Sequence, residues 1–268
     1  MLFDILKAII LGVVEGFTEF LPISSTGHLI IVNQVFSFSE SFTFLFDIVI
    51  QLGAILSVLV YFKKRLWPFG KDREKRKLTL DIWRKAIVGV LPAIFLGALL
   101  GGFIEKKLFN PLTVASALVI GGLVLILIER KNKPSRINSI SELTLKTAFY
   151  IGIIQCLSLI PGTSRSAATI IGAMLLGTSR LVATEFSFFL AIPTMVAASG
   201  YSLLKHGFSL SFNELLILLV GFAVSFLTAL VAIRFFLNYI EKNNFKAFAH
   251  YRIVLGIIVF LILILPLF

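Results

Sequence analysis

Six stretches of the sequence, 44–62, 87–104, 112–128, 186–204, 215–233 and 253–268, are apolar almost throughout, and their lengths lie at or near the roughly 17 to 25 residues a helix needs to cross a hydrocarbon core about 30 Å thick. A lipid-exposed segment must satisfy its backbone hydrogen bonds internally, so each is expected to be a helix. Hydrophobic residues make up 58% of the 268 and charged residues 15%, and the mean hydropathy is +0.99. A soluble enzyme with a mixed surface is excluded. The expected fold is an all-α integral membrane protein forming a single membrane domain over 1–268.

Two further apolar stretches, 1–36 and 147–178, are interrupted near the middle by proline and a polar cluster, which breaks a helix and predicts re-entrant hairpins. They also resemble each other. Gly12-Val-Val-Glu-Gly-Phe-Thr-Glu-Phe-Leu-Pro22 aligns with Gly152-Ile-Ile-Gln-Cys-Leu-Ser-Leu-Ile-Pro161 after a single-residue gap. The match continues through Phe46 and Phe186, Val88-Gly89 and Val220-Gly221, and Gly121 and Gly256, at offsets between 132 and 140. The chain therefore reads as repeat 1 (1–130) and repeat 2 (145–268), each one re-entrant hairpin plus three transmembrane helices. An odd number of crossings per half makes this an inverted-topology repeat.

Charge gives the orientation. Of 25 Lys and Arg, ten lie in 63–85, five in 130–146 and four in 234–252. These three loops are expected on the cytoplasmic face, with both termini external and the hairpins entering from opposite sides. The net charge of +11 is thereby assigned to loops against anionic lipid rather than to nucleic acid, for which no soluble domain exists. The single cysteine, Cys156, excludes an internal disulfide. Asp4 and Lys7 with no small-residue cleavage site before Pro22 predict that the N-terminal segment is retained.

Within these apolar stretches the polar residues are conspicuous. Glu15 and Glu19, four apart, share one helix face, and each carboxylate in hydrocarbon costs about 2.5 to 3.5 kcal/mol. A cation must compensate them: a divalent metal, His28 or Arg165. Ser24, Ser25 and Thr26 follow Pro22 and are candidates for a reactive site or for helix capping. His28 needs a partner at membrane depth, and the glutamate pair is the one its own hairpin offers. The second tip sets Arg165 among Thr163, Ser164, Ser166 and Thr169, a cradle suited to phosphate oxygens. Asp47, Gln51 and Glu185 are expected to support the tips by hydrogen bonding.

Carboxylates, hydroxyls and an imidazole on one tip, with arginine and hydroxyls on the other, suit phosphate-ester chemistry on a lipid. Glu15 and Glu19 would hold Mg²⁺ or Ca²⁺, Arg165 would neutralise phosphate oxygens, and His28 would handle the proton. The segments Glu-Gly-Phe-Thr-Glu-Phe-Leu-Pro-Ile-Ser-Ser-Thr-Gly-His (15–28) and Pro-Gly-Thr-Ser-Arg-Ser (161–166) resemble the two signature motifs of the bacterial undecaprenyl-diphosphate phosphatase family, also called bacitracin-resistance proteins. The resemblance extends over nearly the whole chain. It implies a metal-dependent enzyme of the bacterial plasma (inner) membrane, open to the external face, that removes the terminal phosphate of undecaprenyl diphosphate and so recycles the lipid carrier of peptidoglycan synthesis. It further implies that Glu15 and Glu19 are the essential acidic pair, Ser25 a nucleophile or metal-side hydroxyl, His28 the essential imidazole and Arg165 the phosphate-binding arginine. Ser24, Thr26, Thr163, Ser164 and Ser166 fall within the same motifs as substrate-binding candidates. Whether Ser25 or water attacks, and whether the chain is a homodimer, is left open by the motifs. Acid-phosphatase-like lipid phosphatases need a second histidine with an aspartate after Ser-Arg, and no aspartate follows Asp81. A lipid flippase, built on the same kind of repeat, is the competing function.

Overall fold

The computed structural model describes residues 1–69, 72–130, 134–206 and 210–263. Lys71, Lys131 and Lys133 of the basic loops and 264–268 of the last apolar stretch lie outside the described residues, as do the side chains of Lys205 and His206. Among the described residues the chain is helical, with α1 (Leu2–Thr18), α2 (Ser25–Phe36), α3 (Glu40–Tyr61), α4 (Lys63–Leu66), α5 (Arg73–Lys107), α6 (Pro111–Arg130), α7 (Leu145–Gln155), a 3-10 turn at Cys156–Leu159, α8 (Arg165–Leu175), α9 (Arg180–His206), α10 (Phe212–Lys242) and α11 (Lys246–Leu263). Six of these, α3, α5, α6, α9, α10 and α11, are long and apolar enough to span a bilayer, in the positions expected. The protein is a multi-pass membrane protein.

Most of the spans run past their expected bounds, α5 and α10 the furthest. Helix α5 has 35 residues and α10 has 31, about 52 and 46 Å at 1.5 Å per residue. Polar sequence extends α5 chiefly at its start and α10 chiefly beyond its apolar end, where Asn243 Nδ2 donates to the carbonyl of Tyr239 at 3.0 Å. Asp72 accepts from the backbone N–H of Glu74 at 3.0 Å and of Lys75 at 3.2 Å, and Ser211 forms a capping box with Glu214.

The two apolar stretches interrupted in the sequence are interrupted in the fold. Helix α1 stops at Thr18 and α2 begins at Ser25; α7 with its 3-10 turn stops at Leu159 and α8 begins at Arg165. Packing joins the halves crosswise. Helix α1 lies along α10, and α7 lies along α5; α3 also packs on α10 and α9 on α5, while α6 lies along α11. The close approaches are made by glycine. A Cβ on Gly12 would stand 2.8 Å from the carbonyl oxygen of Gly221, and one on Gly152 would strike the backbone of Gly89. These contacts are the same pair with the halves exchanged, since Gly12 corresponds to Gly152 and Gly89 to Gly221 in the sequence repeat.

The basic loops gather at one end. Arg65, after α3, donates to Glu185 at 2.7 Å. Arg180 pairs with Glu129 at 2.6 Å, and Glu129 also accepts the backbone N–H of Phe245 at 3.0 Å. Lys85 pairs with Asp81 and donates to the carbonyl of Ile140 at 2.9 Å. Glu185, in the second turn of α9, thus pairs with Arg65 of α4 at this end rather than with a tip, contrary to expectation. At the middle, Phe20, Phe46, Phe186, Phe188, Phe189 and Phe236 are fully buried, and Phe20, beside Glu19, meets Phe188 edge-on at 5.3 Å. Outward faces such as Leu99, Phe103, Leu227 and Val231 remain exposed, as lipid contact requires.

Candidate active site at the two helix breaks

Both breaks end in the same strained residue. Ser24 and Ser164 have φ of 71° and 70° and are the non-glycine residues with positive φ among those described. Such a conformation costs an L-residue about 1 kcal/mol or more. Each serine caps the helix after it. Ser24 Oγ accepts from Gly27 N–H at 3.3 Å and Ser164 Oγ from Ala167 N–H at 3.2 Å. The capping alternative therefore holds for Ser24. The two caps are 140 positions apart, the spacing that also separates Gly12 from Gly152. The gap introduced to pair Pro22 with Pro161 is therefore removed: backbone conformation, not proline, is what the tips share. Ser25 then corresponds to Arg165, each the first residue of its helix.

Those two residues meet on one carboxylate. Ser25 Oγ donates to Glu19 Oε2 at 2.6 Å, and Arg165 Nη2 stands 3.4 Å from Glu19 Oε1. All three side chains are almost wholly withdrawn from the surface. Arg165 Nη1 donates to the backbone carbonyl of Ser187 at 2.9 Å, and Ser187 Oγ accepts from Thr169 at 2.7 Å. The tips are also joined directly, because Ser166 Oγ donates to the carbonyl of Leu21 at 2.7 Å while Ser164 stands 2.9 Å from Ser166. Thr26 and Thr163 are half-buried beside this array.

Glu15 lies one turn before Glu19, fully buried, and neither carboxylate oxygen has a hydrogen-bond partner among the described residues. Arg165 thus bonds Glu19 directly and makes no hydrogen bond to Glu15. His28 compensates neither. Its Nδ1 lies 2.7 Å from the carbonyl oxygen of Ser24 and its Nε2 lies 2.8 Å from the hydroxyl of Tyr251 on α11, on which the ring stacks. A carbonyl can only accept, so Nδ1 carries a proton, and in the neutral ring Nε2 then accepts from Tyr251. The expected pairing of His28 with the glutamates fails because four residues of helix turn its ring back onto the cap carbonyl. Asp47 accepts from Asn33 of α2 at 3.2 Å, which ties α2 to α3, and Gln51 stands half-buried one turn further on.

Sequence reasoning missed Ser187, Tyr251 and Arg252. Arg252 was counted with the basic loops, yet it is fully buried against both tips. Its position at the head of an apolar stretch was the available signal.

These elements define a class: a polytopic helical membrane protein whose two broken helices enclose a carboxylate, a hydroxyl and a guanidinium in mutual contact. Comparison with known proteins narrows it. A family profile described as "Bacitracin resistance protein BacA" matches residues 8–258, and the chain belongs to that family. It is 51% identical over 262 residues to "Undecaprenyl-diphosphatase 1" of Clostridioides difficile, covering 96% of each chain. It is 49% identical to "Undecaprenyl-diphosphatase" of Lachnoclostridium phytofermentans over 262 residues, with the same coverage. A third relative, "Undecaprenyl-diphosphatase" of Limosilactobacillus fermentum, is 51% identical over 265 residues.

Proposed function

We infer that this chain is an undecaprenyl-diphosphate phosphatase, removing the terminal phosphate of the polyprenyl diphosphate to give undecaprenyl phosphate and inorganic phosphate. The observation that carries this is the contact of Ser25, Arg165 and Glu19 across the two tips. A nucleophile hydrogen-bonded to a base, itself oriented by a third group, is the arrangement covalent catalysis needs. The relatives' names supply the substrate.

Ser25 Oγ attacks the terminal phosphorus while its proton passes to Glu19. The bond from that phosphorus to the bridging oxygen breaks, and its electron pair leaves with undecaprenyl phosphate. Water then attacks the phosphoserine, one water proton returns to Ser25, and Glu19 releases its proton to solvent. Arg165, whose Nη1 and Nη2 bond Ser187 and Glu19 and whose Nε has no partner among the described residues, offers its remaining donors to phosphate oxygens. His28, donating to the Ser24 carbonyl, braces the peptide that carries Ser25, so the proton role first given to it passes to Glu19.

The donor set suits a hard cation. Glu15 presents two buried oxygens without partners, and among the described residues no cluster of three or more His, Cys, Asp and Glu forms a cage. Glu15, with Glu19, would hold Mg²⁺ or Ca²⁺. Such an ion supplies charge neutralisation at the phosphoryl group.

The same reading makes the two halves an inverted repeat, with the hairpins re-entrant, the basic end cytoplasmic and the site open to the external side of the plasma membrane. The exchanged glycine contacts and the matched caps support the repeat; the clustering of basic loops supports the orientation. The test is phosphate release from undecaprenyl diphosphate by purified protein in detergent with Mg²⁺ or Ca²⁺. Release is expected, and Ser25→Ala is expected to abolish it. Release by Ser25→Ala at the parent rate would assign the attack to water. No release by well-folded parent would favour a flippase.

A further inference from the structure

Arg252 of α11 is among the largest fully buried side chains, and among the described residues no carboxylate pairs with it. Backbone carbonyls hold its charge instead. Two belong to α6: Nε donates to Leu118 at 3.4 Å and Nη2 to Ala117 at 3.2 Å. The others belong to the tips. Nη1 donates to Pro22 of the first tip at 3.2 Å, and Nη2 reaches Gly162 and Thr163 of the second at 3.3 and 2.9 Å. Pro22 lies three residues before Ser25, and Thr163 two before Arg165.

The repeat supplies no second such residue. The pairing of Gly121 with Gly256 places Ala117 opposite Arg252, and it is the Ala117 carbonyl that Arg252 binds. One arginine, where the matching helices α6 and α11 pack together, serves both halves. Room for it depends on Gly121, where a Cβ would strike the guanidinium.

We propose that Arg252 is a positioning residue that staples the two tips at the separation where Ser25 and Arg165 both reach Glu19. A guanidinium suits the task because its donors diverge in one plane and can bond carbonyls on different segments, whereas an ammonium gathers its donors on one atom. The rate consequence rests on the function proposed above; the coupling of the tips does not.

The test uses the full chain in detergent, comparing Arg252→Lys, Arg252→Met and Gly121→Ala with the parent in two ways. The first is hydrogen–deuterium exchange along the chain without substrate. The second is kcat and KM for phosphate release. Both tips, 20–28 and 161–168, are expected to exchange faster in all three variants, with kcat falling about 30-fold or more and KM changing less than about threefold. Gly121→Ala combined with Arg252→Met should be no worse than the poorer single variant. Faster exchange confined to α6 and α11 would overturn the proposal, since that is what loss of ordinary packing gives. So would recovery of parent kcat by Arg252→Lys, which would mean that charge alone suffices. Should Arg252→Met fail to fold, Gly121→Ala, which keeps the arginine, decides by the same criteria. Coupled loosening of the tips in a chain whose parent releases no phosphate would sink the proposed function and leave the staple standing.

Discussion

At the level of single residues, the site turns on Glu19, whose two oxygens are claimed by different halves of the chain. Removing its charge leaves Arg165 buried without its carboxylate and Ser25 without a base, so Glu19→Gln should lower phosphate release by about 10²-fold or more. The same variant should remain monodisperse on gel filtration; full activity would remove Glu19 from the chemistry. Arg165→Lys keeps the charge but loses the planar fork that bonds Glu19 and the Ser187 carbonyl together. It is expected to raise KM about tenfold, which steady-state kinetics would read directly. Glu15 and Glu19 were recognisable in the sequence because two carboxylates one turn apart in an apolar helix demand an explanation. Their different fates were not. Only the fold shows that one is shared by a serine and an arginine and that the other is left bare.

At the level of elements, the helix breaks create the site. Pro22 and Pro161 announced them, but the residues the two breaks share are Ser24 and Ser164, each at positive φ and each capping the helix that follows. Ser24 therefore combines a favourable cap with an unfavourable backbone. Ser24→Ala loses the cap and keeps the strain, at a cost of about 1 kcal/mol. Ser24→Gly loses the cap but relieves the strain, and should cost only a few tenths. Melting temperatures in detergent are expected to rank parent, glycine, alanine in descending order, and an alanine variant as stable as the parent would contradict this. His28 shows the limit of reading along one hairpin, because its Tyr251 partner comes from a helix more than two hundred positions away.

For the whole molecule, α1 and α7, the helices that lead into the two breaks, lie against α10 and α5 of the other half of the chain. The buried core draws residues from both halves of the chain, and enlarging a glycine at one of these seams should affect both halves together. Gly152→Leu would drive a side chain into the backbone of Gly89, for which overpacking of about 1 to 3 kcal/mol is expected, read as one cooperative drop in melting temperature rather than two separate transitions. Orientation is a separate prediction. With Cys156 replaced by serine, a cysteine at exposed Asn138 on the basic end should be labelled by an impermeant reagent in inside-out vesicles and not in right-side-out ones.

The sequence by itself determined that the chain is a helical membrane protein, where its six spans and two breaks fall, and that the breaks carry an acidic pair and an arginine. Each of these follows from local properties: apolar length against bilayer thickness, proline against helix continuity, and charge against hydrocarbon. Only the tertiary structure decided the pairings. Which oxygen meets which donor, that His28 turns to Tyr251, that Glu185 serves the basic end and that Arg252 lies between the tips all depend on segments distant in sequence approaching within hydrogen-bond reach. Such contacts are made by packing between distant helices, as where Gly121 of α6 leaves room for Arg252 of α11, and the order of residues along one helix does not say which helix will lie beside it.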